Sequence, residues 1–143
     1  MSRIQWVAGI TGAAFVTAAL AGFALTGLSA WTSPVTMATA PRLLGLFPVN
    51  PVHNLLHLII GVWGVLAFRH QRAAAIYAAV SGVIYLLLTA LGVYAPTIHG
   101  MVPIGGHDIL LHFVVAAVLI GFAFGPKSGD QAVRAEENVV RSV

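Results

Sequence analysis

Two histidines one helical turn apart, His53 and His57, stand where a loop rich in proline and asparagine runs into a long apolar stretch. The segment reads FPVNPVHNLLHLII over residues 47–60, and VPIGGHDILLHFVV over residues 102–115 follows it at an offset of fifty-five positions. In this register Pro48 aligns with Pro103, and His57 aligns with His112, without a gap. The sequence therefore predicts two equivalent helices, each entered through a loop and each carrying a histidine near its start.

The apolar content of the chain indicates that these helices lie in a membrane. The 143 residues are 59% apolar and 8% charged, whereas a soluble domain has about 25% charged residues. Because so few charges cannot cover a surface that faces water, the sequence predicts an integral membrane protein whose first partner is the lipid bilayer. The absence of cysteine excludes disulfides, thiolate metal sites and iron–sulfur clusters. No nucleic-acid partner is expected.

Four apolar stretches are long enough to cross a bilayer, at about 6–28, 51–68, 73–94 and 107–124. They predict an all-α fold, a four-helix transmembrane bundle over residues 1–125 built from two parallel helix-hairpin repeats. Residues 126–143 are predicted to be a polar cytoplasmic tail. Because positive residues gather on one side of this topology, both termini are predicted to be cytoplasmic, in a plasma membrane. That side holds Arg3, Arg69, Arg72, Lys127, Arg134 and Arg141, and the other side holds Arg42.

Smaller features predict how the helices pack and where the loops lie. Rows of small residues on the first and third spans predict close helix contacts. Residues 37–46 are expected to form a helix at the membrane interface, and Tyr85 and Tyr94 are expected in an interfacial aromatic belt. The small rows are Ala14, Ala18 and Gly22, and Ala74, Ala78 and Gly82.

The predicted orientation brings most of the histidines to the outer rim of the bundle. His53 and His57 share a helix face, and Asp108 stands at the position equivalent to His53. Three hypotheses stay open: hydrogen bonds and helix caps, binding of a divalent metal or haem, and proton handling. The candidate residues are His53, His57, His107, Asp108 and His112.

The same segment excludes a zinc peptidase of the HExxH type. His53 and His57 have the required spacing, but Asn54 stands where the catalytic glutamate must be. The sequence also has no phosphate-binding loop, no nucleophile elbow and no pair of carboxylates within the spans. No catalytic site is predicted.

The histidine segment also carries a family resemblance. The pattern Phe-x-Val-x-x-x-His-Asn-x-x-His, present at residues 47–57, resembles that of small four-helix bacterial membrane proteins grouped as domain of unknown function 4383. In the second copy Pro103, Asp108 and His112 match the family pattern, while Gly105 and Ile109 replace two asparagines. The resemblance covers residues 6–125 and implies the fold and the membrane location, with no activity attached.

These observations predict a multi-pass membrane protein that serves as an accessory or assembly subunit of a membrane complex. Its partners would be other membrane proteins or further copies of the same chain. One alternative is a membrane protein that binds a divalent metal or haem through the outer-face histidines. Another alternative is a proton-relay subunit of a redox complex.

Overall fold

Four helices and one short hairpin make up the part of the protein that the computed structural model describes, which is residues 1–29, 31 and 33–125. The predicted tail at 126–143 lies outside these residues. In chain order the elements are α1 (Arg3–Thr26), β1 (Arg42–Leu43), β2 (Phe47–Pro48), α2 (Pro51–Ala67), α3 (Gln71–Tyr94) and α4 (His107–Phe124). The predicted all-α bundle of four helices is therefore confirmed.

Local sequence explains where these helices begin and end. Asn50 caps α2 by accepting a hydrogen bond from the backbone N–H of His53, and Pro51 occupies the first helical position, where no N–H is needed. Gly27 follows α1 with a φ of 68°, and Gly106 precedes α4 with a φ of 68°. Glycine adopts this left-handed backbone without the steric penalty of a Cβ, so the chain can turn sharply at both positions.

The helices are long and apolar enough to make this a membrane protein. Three of them, α1, α3 and α4, have the length and hydropathy of a membrane span, and α2 is a shorter apolar helix of 17 residues. Large apolar side chains project outward from all four helices, which suits contact with lipid and not with water. Examples are Leu20, Ile59, Leu66, Leu87, Leu110 and Phe113.

The bundle consists of two closely packed pairs, in which α1 packs along α2 and α3 packs along α4. Glycines allow the backbones of the first pair to approach closely. A Cβ built on Gly12 would lie 2.8 Å from the carbonyl oxygen of Gly61, and a Cβ on Gly61 would lie 2.7 Å from the amide nitrogen of Val16. The predicted duplication of a helical hairpin would produce the same two pairs, α1 with α2 and α3 with α4. The duplication itself stays a prediction.

The small-residue rows are only partly as predicted. The row of Ala74, Ala78 and Gly82 on α3 is buried, as expected. On α1, however, Ala14 is exposed. The buried face of α1 lies to one side of the predicted row because the glycines facing α2 set the contact. It consists of Ala8, Gly12, Phe15, Ala19 and Gly22.

The predicted interfacial helix over residues 37–46 is wrong. This segment contains a turn and the first strand of an antiparallel hairpin, in which Arg42 pairs with Pro48 and Leu43 pairs with Phe47. Pro41 lacks the N–H that a helix interior needs, and Gly45 has a φ of 72° that places it in the hairpin turn. The proline and the glycine together therefore favour a hairpin over a helix.

Two loops meet at one end of the bundle, called here the loop end. Their described residues are 27–29, 31, 33–50 and 95–106, and the amide of Val35 donates to the carbonyl of Gly100 across them at 2.9 Å. The opposite end, called the terminal end, carries the start of α1, the short α2–α3 turn and the end of α4.

The glycine contacts between α1 and α2 give a test of the packing. In Gly61→Ala the new methyl group would press on the backbone of Val16, which cannot rotate away, so we expect a loss of about 1–3 kcal/mol in the free energy of unfolding. The measurement is denaturant unfolding of the purified protein in detergent micelles.

Gly121→Ala on α4 is the matched control, because its added Cβ would meet nothing within 4 Å. Alanine is favoured over glycine inside a helix by about 1 kcal/mol, so this variant should be unchanged or slightly more stable. Equal destabilisation by the two substitutions would contradict the packing described here.

Candidate functional site

The start of α2 is fixed by hydrogen bonds to the second loop. The side chain of Asn50 accepts from the amide of His53 at 2.8 Å, and its Nδ2 donates to the carbonyl of Met101 at 2.7 Å. The ring of His53 is held in the same way, because its Nδ1 lies 3.0 Å from the carbonyl oxygen of Pro103. These contacts join parts of the chain that are about fifty residues apart.

The bond to Pro103 also fixes which ring nitrogen of His53 is available. A carbonyl oxygen can only accept, so Nδ1 of His53 carries the proton, and in the neutral ring Nε2 is left with a free lone pair. That Nε2 lies 3.3 Å from Nε2 of His57, one turn further along α2. A histidine whose second nitrogen donates to a carbonyl is the arrangement usual for metal ligands.

His112 approaches the same point from α4. It lies one turn after Asp108, with 3.5 Å between its Nε2 and the Oδ2 of the aspartate, and both side chains are buried. Within the described part of the chain, neither nitrogen of His112 nor Oδ2 of Asp108 has a hydrogen-bond partner. A buried polar group without a partner is costly, so this pair calls for a further group to complete it.

Together the three histidines form one compact group, called here the histidine cluster. His53, His57 and His112 each offer one ligand atom, and these atoms all lie within 4.8 Å of one another. Two aromatic rings close the group from the side of the bundle. Phe15 stacks on His57 with 5.2 Å between ring centroids, and Tyr85 packs against His112 at 5.1 Å.

Four of the five predicted site residues therefore meet. His53, His57 and His112 form the cluster and Asp108 lies beside it, whereas His107 is exposed and stands outside it. His107 points away from the cluster because it directly precedes Asp108, and adjacent residues on a helix point about 100° apart. The structural role of Asn50 as a cap and tether was not predicted.

Tyr85 was predicted in an interfacial belt, and that prediction is wrong. Its side chain is 1% exposed and lies against His112 inside the bundle, while Tyr94 is 86% exposed. The signal that distinguishes them is helical spacing. Tyr85 follows Tyr77 and Ser81 at intervals of four residues, which indicates one buried face, and Tyr94 does not continue that row.

Asn54, which occupies the position of the glutamate in an HExxH motif, has a structural role. Its Nδ2 donates to the hydroxyl of Thr26 on α1 at 3.0 Å, and its side chain is completely buried. Gly22 makes room for it, because a Cβ at that position would collide with the Asn54 amide group. The residue therefore binds α2 to α1 next to the cluster and carries no acid or base function.

The protein is therefore a four-helix membrane bundle with three imidazoles and one carboxylate buried close together. The chain belongs to the family described as a domain of unknown function, DUF4383, whose sequence profile matches residues 5–125. No match was found among curated proteins or among solved structures.

The tether formed by Asn50 gives a second test. Asn50→Ala removes both the helix cap and the bond to Met101, so we expect a loss of about 1–2 kcal/mol in the free energy of unfolding. Asn50→Ser keeps a cap acceptor and should lose less. Thermal unfolding in detergent compares the two variants, and an unchanged stability in Asn50→Ala would contradict the tether.

Proposed function

We propose that this protein is a multi-pass membrane protein that binds a divalent transition-metal ion, of the zinc type, in the histidine cluster. One observation carries the proposal: three buried imidazoles offer ligand atoms that lie within 4.8 Å of one another. Imidazole nitrogen is a preferred ligand of zinc, copper, iron and nickel, whereas calcium and magnesium prefer oxygen.

The distances within the cluster support a single ion. Zinc holds histidine nitrogens at about 2.0–2.1 Å, so two such nitrogens in a tetrahedral site lie roughly 3.4 Å apart. The Nε2 atoms of His53 and His57 already have this separation, at 3.3 Å. The widest ligand-atom separation in the cluster is up to 4.8 Å. A shift of at most about 1.4 Å in the ring of His112 would therefore complete the three-nitrogen site.

Asp108 supplies the negative charge that such a site needs. It is the only acidic residue before position 130, and it lies buried against His112. A carboxylate next to a metal-bound histidine orients the ring and strengthens its hold on the ion. The remaining position on a tetrahedral ion is then available to a water molecule or to the carboxylate itself.

The alternatives explain less of the geometry. Haem between His53 and His57 would need a flat macrocycle to fit between their rings, and their nitrogens, 3.3 Å apart, leave no room for one. A network of hydrogen bonds alone accounts for His53, which is bonded to Pro103, but it leaves both nitrogens of His112 without a partner in the described chain. A cation satisfies His112 and Asp108 together.

Metal binding is tested on the detergent-purified protein, stripped with a chelator and titrated with zinc chloride or cobalt(II). We expect one ion per chain and, for cobalt, the visible absorption of a tetrahedral site. Zinc at one hundred times its dissociation constant should raise the free energy of unfolding by about 2.7 kcal/mol. Asp108→Asn should weaken binding by about 10–100-fold, as loss of a neighbour of a ligand does.

The matched variants are His112→Gln, which removes a proposed ligand, and His107→Gln, which changes an exposed histidine five residues earlier on α4. His112→Gln should abolish the thermal shift with zinc, and His107→Gln should keep it. Circular dichroism verifies that both variants are folded. A wild-type protein that shows no zinc-dependent shift and no cobalt absorption would overturn the proposal.

We further propose that the loop end faces outward across a plasma membrane and that both termini are cytoplasmic. The positive residues of the described chain support this, because Arg3, Arg69 and Arg72 belong to the terminal end, whereas Arg42 belongs to the loop end. The role as an accessory or assembly subunit stays a prediction from the sequence.

The absence of cysteine makes the orientation simple to test. Thr39→Cys and His70→Cys each place one thiol at an exposed position, at the loop end and at the terminal end respectively. With a maleimide that cannot cross membranes, intact cells should label Thr39→Cys, and His70→Cys should need permeabilised cells. The reverse pattern would contradict the orientation.

A further inference from the structure

A groove opens at the terminal end of the bundle, away from the histidine cluster. It lies between the start of α1, the start of α3 and the end of α4, and its volume is about 980 Å³. The helices separate here because α1 contacts α4 far less than it contacts α2. Ligand sites in proteins usually measure about 300–1,000 Å³, so this space, called here the terminal groove, is large enough for an organic ligand.

The wall that α4 contributes to the terminal groove is apolar and faces out of the bundle. It consists of Ala117, Val118, Gly121 and Phe122, all of which are exposed. A Cβ built on Gly121 would meet nothing within 4 Å, so the groove has open space at this point. Because exposed apolar side chains of a membrane span lie against lipid, the groove opens sideways to the bilayer.

The mouth of the terminal groove is cationic. Arg3 and Arg72 line it, and each stands in the first turn of a helix that has no acidic residue in that turn. The first turn carries the positive end of the helix dipole, so the dipole adds to the charge of each arginine. The only acidic residue before position 130 is Asp108, which is buried beside His112. Within the described residues, therefore, no carboxylate balances these charges, and an anion would do so.

The length of the terminal groove matches one leaflet of a bilayer. From Ala117 to Gly125 the groove follows the last two turns of α4, a length of about 12 Å. The hydrocarbon core of a bilayer is about 30 Å thick, so one leaflet contributes roughly 15 Å of it. A second membrane-spanning helix would need a groove along roughly 20 residues, and this one ends after two turns. The dimensions therefore fit a lipid better than a partner helix.

We propose that the terminal groove binds one anionic phospholipid from the leaflet at the terminal end. The phosphate lies at Arg3 and Arg72, and an acyl chain lies along Ala117 and Gly121. Guanidinium groups hold phosphate through paired N–H donors, and basic pockets between membrane helices recognise lipid headgroups in this way. The bound lipid fills the space where α1 and α4 separate. The site depends neither on a metal in the histidine cluster nor on the direction in which the protein crosses the membrane.

The first experiment tests the cationic mouth by native mass spectrometry of the full chain in detergent, titrated with phosphatidylglycerol or with phosphatidylcholine of the same acyl chains. We expect one phosphatidylglycerol per chain, bound several-fold more tightly than phosphatidylcholine, whose choline cation offsets the phosphate charge. Arg72→Gln should weaken phosphatidylglycerol binding several-fold. Arg69→Gln, which removes an exposed arginine at the same end but outside the groove, should bind as the wild type does. Equal affinity for the two lipids, or equal losses in the two variants, would overturn the proposal.

The second experiment tests the apolar wall with the same titration. Gly121→Leu places a side chain in the open space of the groove, where it meets no protein atom at its Cβ, so the fold should persist while phosphatidylglycerol binding falls several-fold. Ala90→Leu adds the same bulk at an exposed position of α3 towards the loop end and should leave binding unchanged. Inorganic phosphate should not displace the lipid. Unchanged binding in Gly121→Leu, or displacement by inorganic phosphate alone, would overturn the proposal.

The third experiment identifies the occupant of the groove in a bilayer. A photoactivatable benzophenone amino acid replaces Phe122, and the protein is illuminated in nanodiscs that contain equal amounts of the two lipids. We expect adducts that carry mainly phosphatidylglycerol. Adducts in the bulk lipid ratio, or crosslinks to a second copy of the chain or to residues 126–143, would overturn the proposal. No metal is added in any of these measurements, so their outcome is independent of the histidine cluster.

Discussion

The hydrogen bond between Nδ1 of His53 and the carbonyl of Pro103 holds the loop end of this protein together. It connects the first turn of α2 to the loop before α4, and the bond from Asn50 to Met101 strengthens the same connection. A protein in lipid gains little from apolar burial between helices, so such polar ties and close packing have to fix the arrangement. The hydrogen bond to Pro103 also fixes the tautomer of His53, and the unprotonated Nε2 then lies next to Nε2 of His57. The hydrogen bond from His53 to Pro103 thus positions α2 against the loop before α4, and it also leaves Nε2 of His53 with a free lone pair.

Within the described residues, the buried side-chain atoms that lack a hydrogen-bond partner are found near this hydrogen bond, along one face of α3, and at Oδ1 of Asn54, which faces α1. His112, Asp108 and Tyr85 belong to the histidine cluster or touch it, and Ser81 and Tyr77 continue from there along α3. Such groups are costly inside a bundle, and the proposed cation would give His112 and Asp108 the partner that the described residues do not supply. Gly64 packs directly against the phenol of Tyr77, and a Cβ at that position would collide with the ring.

The sequence predicted the four helices and most of the site because both depend on strong local patterns. Long apolar runs define the helices, and the spacing of His53 and His57 puts two imidazoles on one face. What the pattern could not supply was contact across the bundle. Whether His112 faces His57, and whether Tyr85 points inward or to the interface, depends on how α3 and α4 rotate about their axes. That rotation is set by packing, in which glycines such as Gly82 decide how closely two helices approach. The hairpin at residues 42–48 was missed because a short loop has no periodicity to read.

The pairing of the helices has a consequence for how the chain matures as it is inserted into the bilayer. The contact of Asn54 with Thr26 needs only α1 and α2, so the first pair is able to assemble while the rest of the chain is still being synthesised. His112 and the carbonyl of Pro103 emerge later, with α4 and its preceding loop. Until the translocation machinery releases that last helix, a nascent chain holds two imidazoles and no neighbouring carboxylate. The histidine cluster is therefore completed last, and a prematurely terminated chain would carry α1 and α2 without Asp108 and His112.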